Sequence, residues 1–135
     1  MSMKLFVLGA TLLSMASSAF ALTPRTGEYT CRRLGHAVYT CLSYIKDKTV
    51  DEYASGACDR MNDVDSTFQC MKVITGHAFQ MNAVVACDRI EDVTLTNRCL
   101  GTISDCHFTE SAVQECDSVS SVTATIGCFK YYCEK

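Results

Sequence analysis

The sequence has no tryptophan, a single proline (Pro24) and no excess of basic residues, with 12 Lys and Arg against 15 Asp and Glu and a formal net charge of −3. Because phosphate binding requires clustered positive charge, this balance argues against a nucleic-acid partner. The scarcity of proline and the lack of long polar or charged runs leave no candidate linker. With 48% hydrophobic and 20% charged residues, the chain is too apolar for intrinsic disorder. We therefore expect one small folded domain.

Long hydrophobic runs are also missing, except near the N-terminus. Lys4 precedes an apolar segment from Leu5 to Leu13, and Ala19-Phe20-Ala21 follows, which is the pattern of a cleavable export signal. The apolar segment is far shorter than the roughly 20 residues that a transmembrane helix needs. We predict a signal peptide over residues 1–21, cleavage after Ala21, a mature domain of residues 22–135 and a periplasmic or secreted location. Loss of the positive charge of Lys4 changes the net charge from −3 to −4.

The ten cysteines include no C-x-x-C pair, since the two closest, Cys128 and Cys133, are five positions apart. Such close pairs are typical of zinc sites and of thioredoxin-like redox motifs, so neither is indicated. A high cysteine content in an exported domain predicts disulfides instead. We predict that all ten cysteines are bonded: Cys31, Cys41, Cys58, Cys70, Cys87, Cys99, Cys106, Cys116, Cys128 and Cys133.

The sequence repeats with a period of 29 residues, marked by two columns of cysteine. In the first column each cysteine is followed by aspartate: Cys58-Asp59, Cys87-Asp88 and Cys116-Asp117. In the second column each cysteine is followed by a large apolar residue at +1 and another at +4: Cys41, Leu42, Ile45; Cys70, Met71, Ile74; Cys99, Leu100, Ile103; Cys128, Phe129, Tyr132. Positions 0, +1 and +4 share one face of an α-helix. The pattern predicts an all-α fold of about four tandem helical hairpins linked by disulfides.

The starts of the helices also recur at the repeat spacing. Asp63, Asp92 and Ser121 precede the second helices and are predicted N-caps, because their side-chain oxygens can accept from the first free amides. Thr49 and Glu52 match a capping box for the first helix of the second hairpin, which we expect to run to residue 61. The first helices of the third and fourth hairpins are expected over about 80–90 and 110–119, and Thr109 is the predicted N-cap of the latter. The first hairpin carries Leu34-Gly35 at the start of its second helix, which predicts a weaker or differently capped start.

Several residues raise the question of a ligand or a catalytic site. Phe79 and Phe108 align near the starts of the first helices, where packing between hairpins is favoured over a ligand platform. His36, His77 and His107 share no repeat column, so we expect polar surface histidines rather than metal ligands. Cys106-His107 lacks the earlier cysteine of a haem-attachment motif, and a Cys-His nucleophile requires a free thiolate. We predict no metal, no cofactor and no catalytic residue, and nothing in the sequence indicates an enzyme.

Two disulfide pairings are consistent with the repeat. One links cysteines 12 apart within a hairpin, as in Cys58–Cys70, and the other links cysteines 17 apart between hairpins, as in Cys41–Cys58. Both satisfy helix geometry. The remaining cysteines favour the first, because Cys31 can then pair with Cys41 and Cys106 can pair with Cys133, whereas the second leaves Cys31 and Cys128 at opposite ends of the array.

Two cysteine spacings are similar to those of a known group of proteins. Cys31 and Cys41, and also Cys106 and Cys116, have the C-x₉-C spacing, which resembles the helical hairpins of the coiled-coil-helix proteins. The spacing that recurs here has eleven intervening residues, and an export signal replaces a mitochondrial context. The resemblance therefore implies only disulfide-linked helical hairpins, and no function follows from it.

The column of Asp59, Asp88 and Asp117 is the least expected feature, because the helix macrodipole disfavours negative charge in a last helical turn. Ion pairs between hairpins, through Arg60 and Arg89, would offset this cost. The alternative is an acidic ladder that binds a basic partner.

Stacked hairpins form extended recognition surfaces, so we expect a small exported protein-binding or scaffold module. A secreted effector or enzyme inhibitor is the second hypothesis, and a small metal-dependent or hydrolytic enzyme is the third. The oligomeric state does not follow from the sequence.

Overall fold

A computed structural model describes residues 22–135, and the predicted signal peptide and its cleavage site lie outside these residues. The described part is all-α, as predicted, with a short 3-10 turn at Gly35–Ala37. Its eight helices are α1 (Gly27–Arg32), α2 (Val38–Ile45), α3 (Glu52–Asp59), α4 (Val64–Ile74), α5 (Met81–Asp88), α6 (Val93–Ile103), α7 (Glu110–Asp117) and α8 (Val122–Tyr132). Within residues 22–135 no helix has both the length and the apolar character that a membrane crossing requires.

Consecutive helices pack as pairs, and the pairs stack in two rows. Helix α1 contacts α2, and the same holds for α3 with α4, α5 with α6, and α7 with α8. Helices α1, α3, α5 and α7 form one row, and α2, α4, α6 and α8 form the other. The last three pairs follow the predicted period, since α3, α5 and α7 begin at residues 52, 81 and 110. The first helix of each of these pairs ends earlier than expected, at residues 59, 88 and 117. The N–H of the following residue bonds to the carbonyl three positions earlier, which ends the helix in a tighter, 3-10-type turn.

One disulfide links the two helices of each pair. The bonds are Cys31–Cys41, Cys58–Cys70, Cys87–Cys99 and Cys116–Cys128, and a fifth bond, Cys106–Cys133, joins the segment before α7 to the end of α8. Their Cα–Cα distances of 5.1 to 5.5 Å lie in the usual range for a disulfide. This is the pairing within hairpins. Cysteines 17 apart are not bonded, and Cys106 and Cys116, despite their C-x₉-C spacing, belong to different bonds.

The apolar columns of the sequence form the core between the two rows. Met71, Leu100 and Phe129 are fully buried, as are Ile74 and Ile103. Their counterparts in the first pair, Leu42 and Ile45, and the last member, Tyr132, are only partly buried. These three residues lie in the terminal pairs, which have a neighbouring pair on one side only.

The predicted N-caps Asp63, Asp92, Ser121 and Thr109 are confirmed, since each side chain accepts from the backbone N–H three residues ahead at 2.8 to 3.1 Å. The capping box at Thr49 was wrong. Asp51 caps α3 and accepts from the N–H groups of Tyr53 and Ala54. The carbonyl of Thr49 instead accepts from Gly76 N at 2.8 Å, which joins the turn that precedes the second pair to the turn that follows it. As expected, no side chain caps the start of the second helix in the first pair.

The chain connects one pair to the next through a recurring tight turn. Asp47, Gly76 and Asp105, which are 29 residues apart, follow α2, α4 and α6 with φ values of 61°, 85° and 58°. A positive φ at the third position of such a turn favours glycine or a residue with a short polar side chain. Asp105 has a further role: its carboxylate accepts from Ala78 N at 2.8 Å and pairs with His77 Nδ1 at 2.7 Å. These contacts join the turn that precedes the third pair to the turn that follows it.

The segment before α1 forms an N-terminal strap, residues 22–26, that lies against α3. Leu22 is 8% exposed and joins the core, and Arg25 N donates to Glu52 O at 2.9 Å. The strap passes so close to Gly56 that a Cβ atom there would overlap the carbonyl oxygen of Thr23. Glycine at position 56 is therefore a steric requirement for seating the strap.

We expect the substitution Gly56→Ala to displace the strap and lower the free energy of unfolding by about 2 kcal/mol, because Leu22 loses most of its buried area. Gly127→Ala is the matched control. Gly127 lies within α8 with open space around its Cβ position, so alanine there should stabilise the helix by up to about 1 kcal/mol. Urea unfolding of both variants measures the two effects. Equal effects of the two substitutions would contradict the role of Gly56.

Reduction of the five disulfides should unfold the domain. A closed loop of this size contributes roughly 3 kcal/mol per bond in the chain-entropy model, and isolated helices of this length are marginal in water. Circular dichroism at 222 nm, recorded with and without excess reductant at neutral pH, tests this expectation. Helical signal that survives complete reduction, verified by counting ten free thiols, would show that the packing alone suffices.

Candidate binding site at the turn edge

The turns inside the last three pairs, residues 60–63, 89–92 and 118–121, lie on one edge of the stack, which we call the turn edge. Along it, an arginine of each pair contacts an aspartate of the next. Arg33 Nε lies 3.4 Å from Asp59 Oδ1, Arg60 lies 2.6 Å from Asp88 Oδ2, and Arg89 pairs with Asp117. Each aspartate is the last residue of its helix, and each arginine is the C-cap of the preceding first helix. We call these six residues the ion-pair ladder.

The sequence explains why this ladder forms. A carboxylate at a helix C-terminus meets the negative end of the macrodipole, and a guanidinium group from the neighbouring pair offsets that cost. Arg60 and Arg89 were predicted partners, whereas Arg33 was missed. The first hairpin is two residues shorter between its cysteines, so the 29-residue register does not align Arg33 with Arg60. Counting two residues from the first cysteine of each pair would have found it.

Two of the three ladder carboxylates are largely buried, whereas the arginines that pair with them are exposed. The side chains of Asp59 and Asp88 are 12% and 10% exposed, and their partners Arg33 and Arg60 are both 57% exposed. Burial raises the pKa of Asp88, while the charges of Arg60 and Arg89 oppose that rise. This is the geometry expected for structural ion pairs between hairpins. Partner binding by Asp59, Asp88 and Asp117 stays a prediction.

The ladder stops at both ends of the array. In the first pair Arg32 occupies the position of the aspartate, and in the last pair Ser118 occupies the position of the arginine. The terminal pairs therefore lack the charged groups that would continue the ladder into a further pair, as expected for the capping units of a stacked array.

Asp59 lies beside two arginines, one from the first pair and one from the strap. Besides Arg33, Arg25 of the strap lies 3.8 Å from its carboxylate. The ring of Tyr29 lies between the two guanidinium groups, 4.7 Å from that of Arg25 and 5.7 Å from that of Arg33. Cation–π contacts and the ion pair thus fasten the strap to the ladder.

Two adjoining clefts open between the helix pairs at the turn edge. The larger has a volume of about 620 Å³ and lies between α3 and α5, with an apolar lining that consists of Ala57, Met61, Val85, Ile90 and Val93. The smaller, of about 240 Å³, lies beside Arg33 and Asp59. The segment Met61-Asn62-Asp63 lines both, so the clefts form one continuous surface. The larger volume lies within the range of roughly 300–1,000 Å³ typical of ligand sites.

The charge of the larger cleft is unbalanced. Its two arginines, Arg60 and Arg89, are neutralised by ladder aspartates. The lining carboxylates outside the ladder are Asp63 and Glu91. The N–H of Ser66, at the start of α4, holds the pKa of Asp63 below its ordinary value, so this carboxylate is ionised at neutral pH. The cleft therefore presents an apolar floor with excess negative charge at its rim.

The other residues considered from the sequence lie away from these clefts. Phe108 packs edge-on against Phe129, with a centroid distance of 5.1 Å, and Phe79 is partly buried against the core. Cys106 is bonded to Cys133 and cannot supply a thiolate. Within residues 22–135 no group of three or more His, Cys, Asp or Glu side chains is arranged to hold a metal ion. Sequence reasoning placed Asp59 and Asp88 at this edge but missed the clefts, because their apolar walls come from helices in different pairs.

We expect a double-mutant cycle on Arg60→Gln and Asp88→Asn to give a coupling free energy of about 0.5–1 kcal/mol, because the exposed guanidinium group of Arg60 remains screened by solvent although the carboxylate is buried. Because part of this pair is screened by salt, the coupling should fall in 1 M NaCl. Urea unfolding of the four proteins at low and high salt measures it. Additive single substitutions at low salt would show that the ladder does not contribute to stability.

Comparison of the chain with protein-family models, with curated proteins and with solved structures gives no match. The functional argument therefore rests on the geometry and charge of the turn edge.

Proposed function

We propose that the protein is an exported binding module that holds a second protein at the turn edge. The observation that carries this proposal is the larger cleft, whose apolar floor and charged rim adjoin a second cleft across Met61-Asn62-Asp63. An apolar centre with a polar rim is the composition of protein interfaces. In this proposal Asp88 lines the main contact and Asp59 its extension, so the predicted acidic ladder forms one wall of the site.

The frame around the clefts suits this role. Each helix that borders the larger cleft is bonded to its neighbour, through Cys58–Cys70 for α3 and α4 and through Cys87–Cys99 for α5 and α6. A rigid site loses little conformational entropy when it binds, which favours affinity. Disulfides also suit an oxidising compartment, and together with the predicted signal peptide they support a periplasmic or secreted location.

Capture from the culture medium or periplasm of the source cells tests the proposal. The immobilised oxidised protein should retain a defined protein that the variant Glu91→Lys loses by at least about fivefold, because a positive charge replaces a negative one at the rim of the cleft. Glu134→Lys makes the same charge change on the opposite edge, where Glu134 meets His107, and should retain the partner. Quantitative mass spectrometry of the three eluates gives the result. Identical eluates from all three proteins would overturn the proposal.

A further inference from the structure

The protein already contains an extended peptide bound across one of its own grooves. The N-terminal strap lies between α1 and α3, with Leu22 buried and Arg25 beside Asp59. Its backbone is held at two points, since Arg25 N donates to Glu52 O and Thr26 O accepts from Ser55 Oγ at 3.1 Å. An apolar side chain followed three residues later by an arginine is thus the chemistry that this groove accepts.

Two positions of α3 that the strap contacts, Gly56 and Asp59, have repeat equivalents that line the larger cleft. Counted from the first cysteine of each pair, Arg33 corresponds to Arg60, while the 29-residue period relates Gly56 to Val85 and Asp59 to Asp88. Arg60, Val85 and Asp88 all line the larger cleft. The strap passes over Gly56 and places Arg25 beside Asp59, whereas the equivalent residues Val85 and Asp88 border an open volume of about 620 Å³.

We propose that the larger cleft binds an extended segment of a partner protein that carries an aliphatic side chain and, about three residues later, an arginine or lysine. This inference rests on the proposed function and names the chemistry of its partner. The aliphatic side chain contacts Val85, Ile90 and Val93, and the basic group faces Asp63 and Glu91, the lining carboxylates outside the ladder. An opposite charge at the rim of a cleft favours this orientation and speeds association.

One difference between the two grooves sets how the segment is held. Gly56 lets the carbonyl of Thr23 approach the axis of α3, and the side chain of Val85 prevents the same approach to α5. The bound segment must therefore lie farther from α5 than the strap lies from α3. Its binding depends on its side chains more than on its main chain.

A peptide with the sequence of the strap, Leu-Thr-Pro-Arg-Thr with blocked ends, is the probe. Titrated into the oxidised protein, it should shift backbone amide resonances of residues 57–63 and 85–93 and leave those of residues 27–33 unchanged. Replacing the arginine of the peptide by glutamate, or its leucine by serine, should weaken binding at least about fivefold. Glu91→Lys in the protein should have a similar effect, and Glu134→Lys should have none.

Val85→Gln provides a second variant on the apolar wall, and α7 carries glutamine at the equivalent position, Gln114, so the helix tolerates the residue. It should weaken the leucine-containing peptide and hardly change binding of the serine-containing one. Three results would overturn the inference: no shifts in the cleft, shifts at residues 27–33 from displacement of the strap, or equal binding of the glutamate-containing peptide. If capture by the cleft depends on Glu91 but the peptide does not bind, the proposed function stands and the partner chemistry is wrong.

Discussion

The eight α-helices of residues 22–135 have between six and eleven residues, a length at which isolated helices are marginal in water. The disulfide within each pair compensates for that weakness, because it holds two short helices side by side independently of their packing against other pairs. The core can then remain thin, with one or two large, fully buried apolar side chains from each of the last three pairs, such as Met71 and Ile74 in the second pair. Everything else in the structure, including the clefts, depends on this covalent pairing.

Stacking of the pairs uses different chemistry on each edge. On the turn edge the contacts are ionic, as in Arg60–Asp88, and they bury carboxylates under exposed guanidinium groups. On the opposite edge the contacts are hydrogen bonds between turns, as in Thr49–Gly76 and Ala78–Asp105. The two clefts lie at the turn edge, where long arginine side chains bridge neighbouring pairs.

The strap connects the fold to the proposed function. It shows that an extended segment can lie across the first row of helices, with an apolar residue in the core and an arginine on the ladder. The same row offers the open cleft between α3 and α5. In the proposed complex, the partner would use the same kinds of contact that hold the strap, namely an aliphatic side chain against the helices and a basic side chain beside a carboxylate.

The sequence by itself determined the helices, their caps at Asp63, Asp92 and Ser121, and the choice of residues for the core, because each follows from local hydrogen bonding or from the spacing of one helical face. It also favoured, without deciding, the bonding of cysteines within pairs. The cap at Asp51 and the path of the strap could not be predicted from neighbouring residues. The carbonyl of Thr49 bonds to Gly76, and the strap lies against Gly56, and both glycines are distant in the chain from the residues they contact. The position of Arg33 on the ladder and the clefts were decided by the tertiary structure alone, since they depend on how far apart neighbouring pairs come to rest, and that distance is set by side chains from several helices at once.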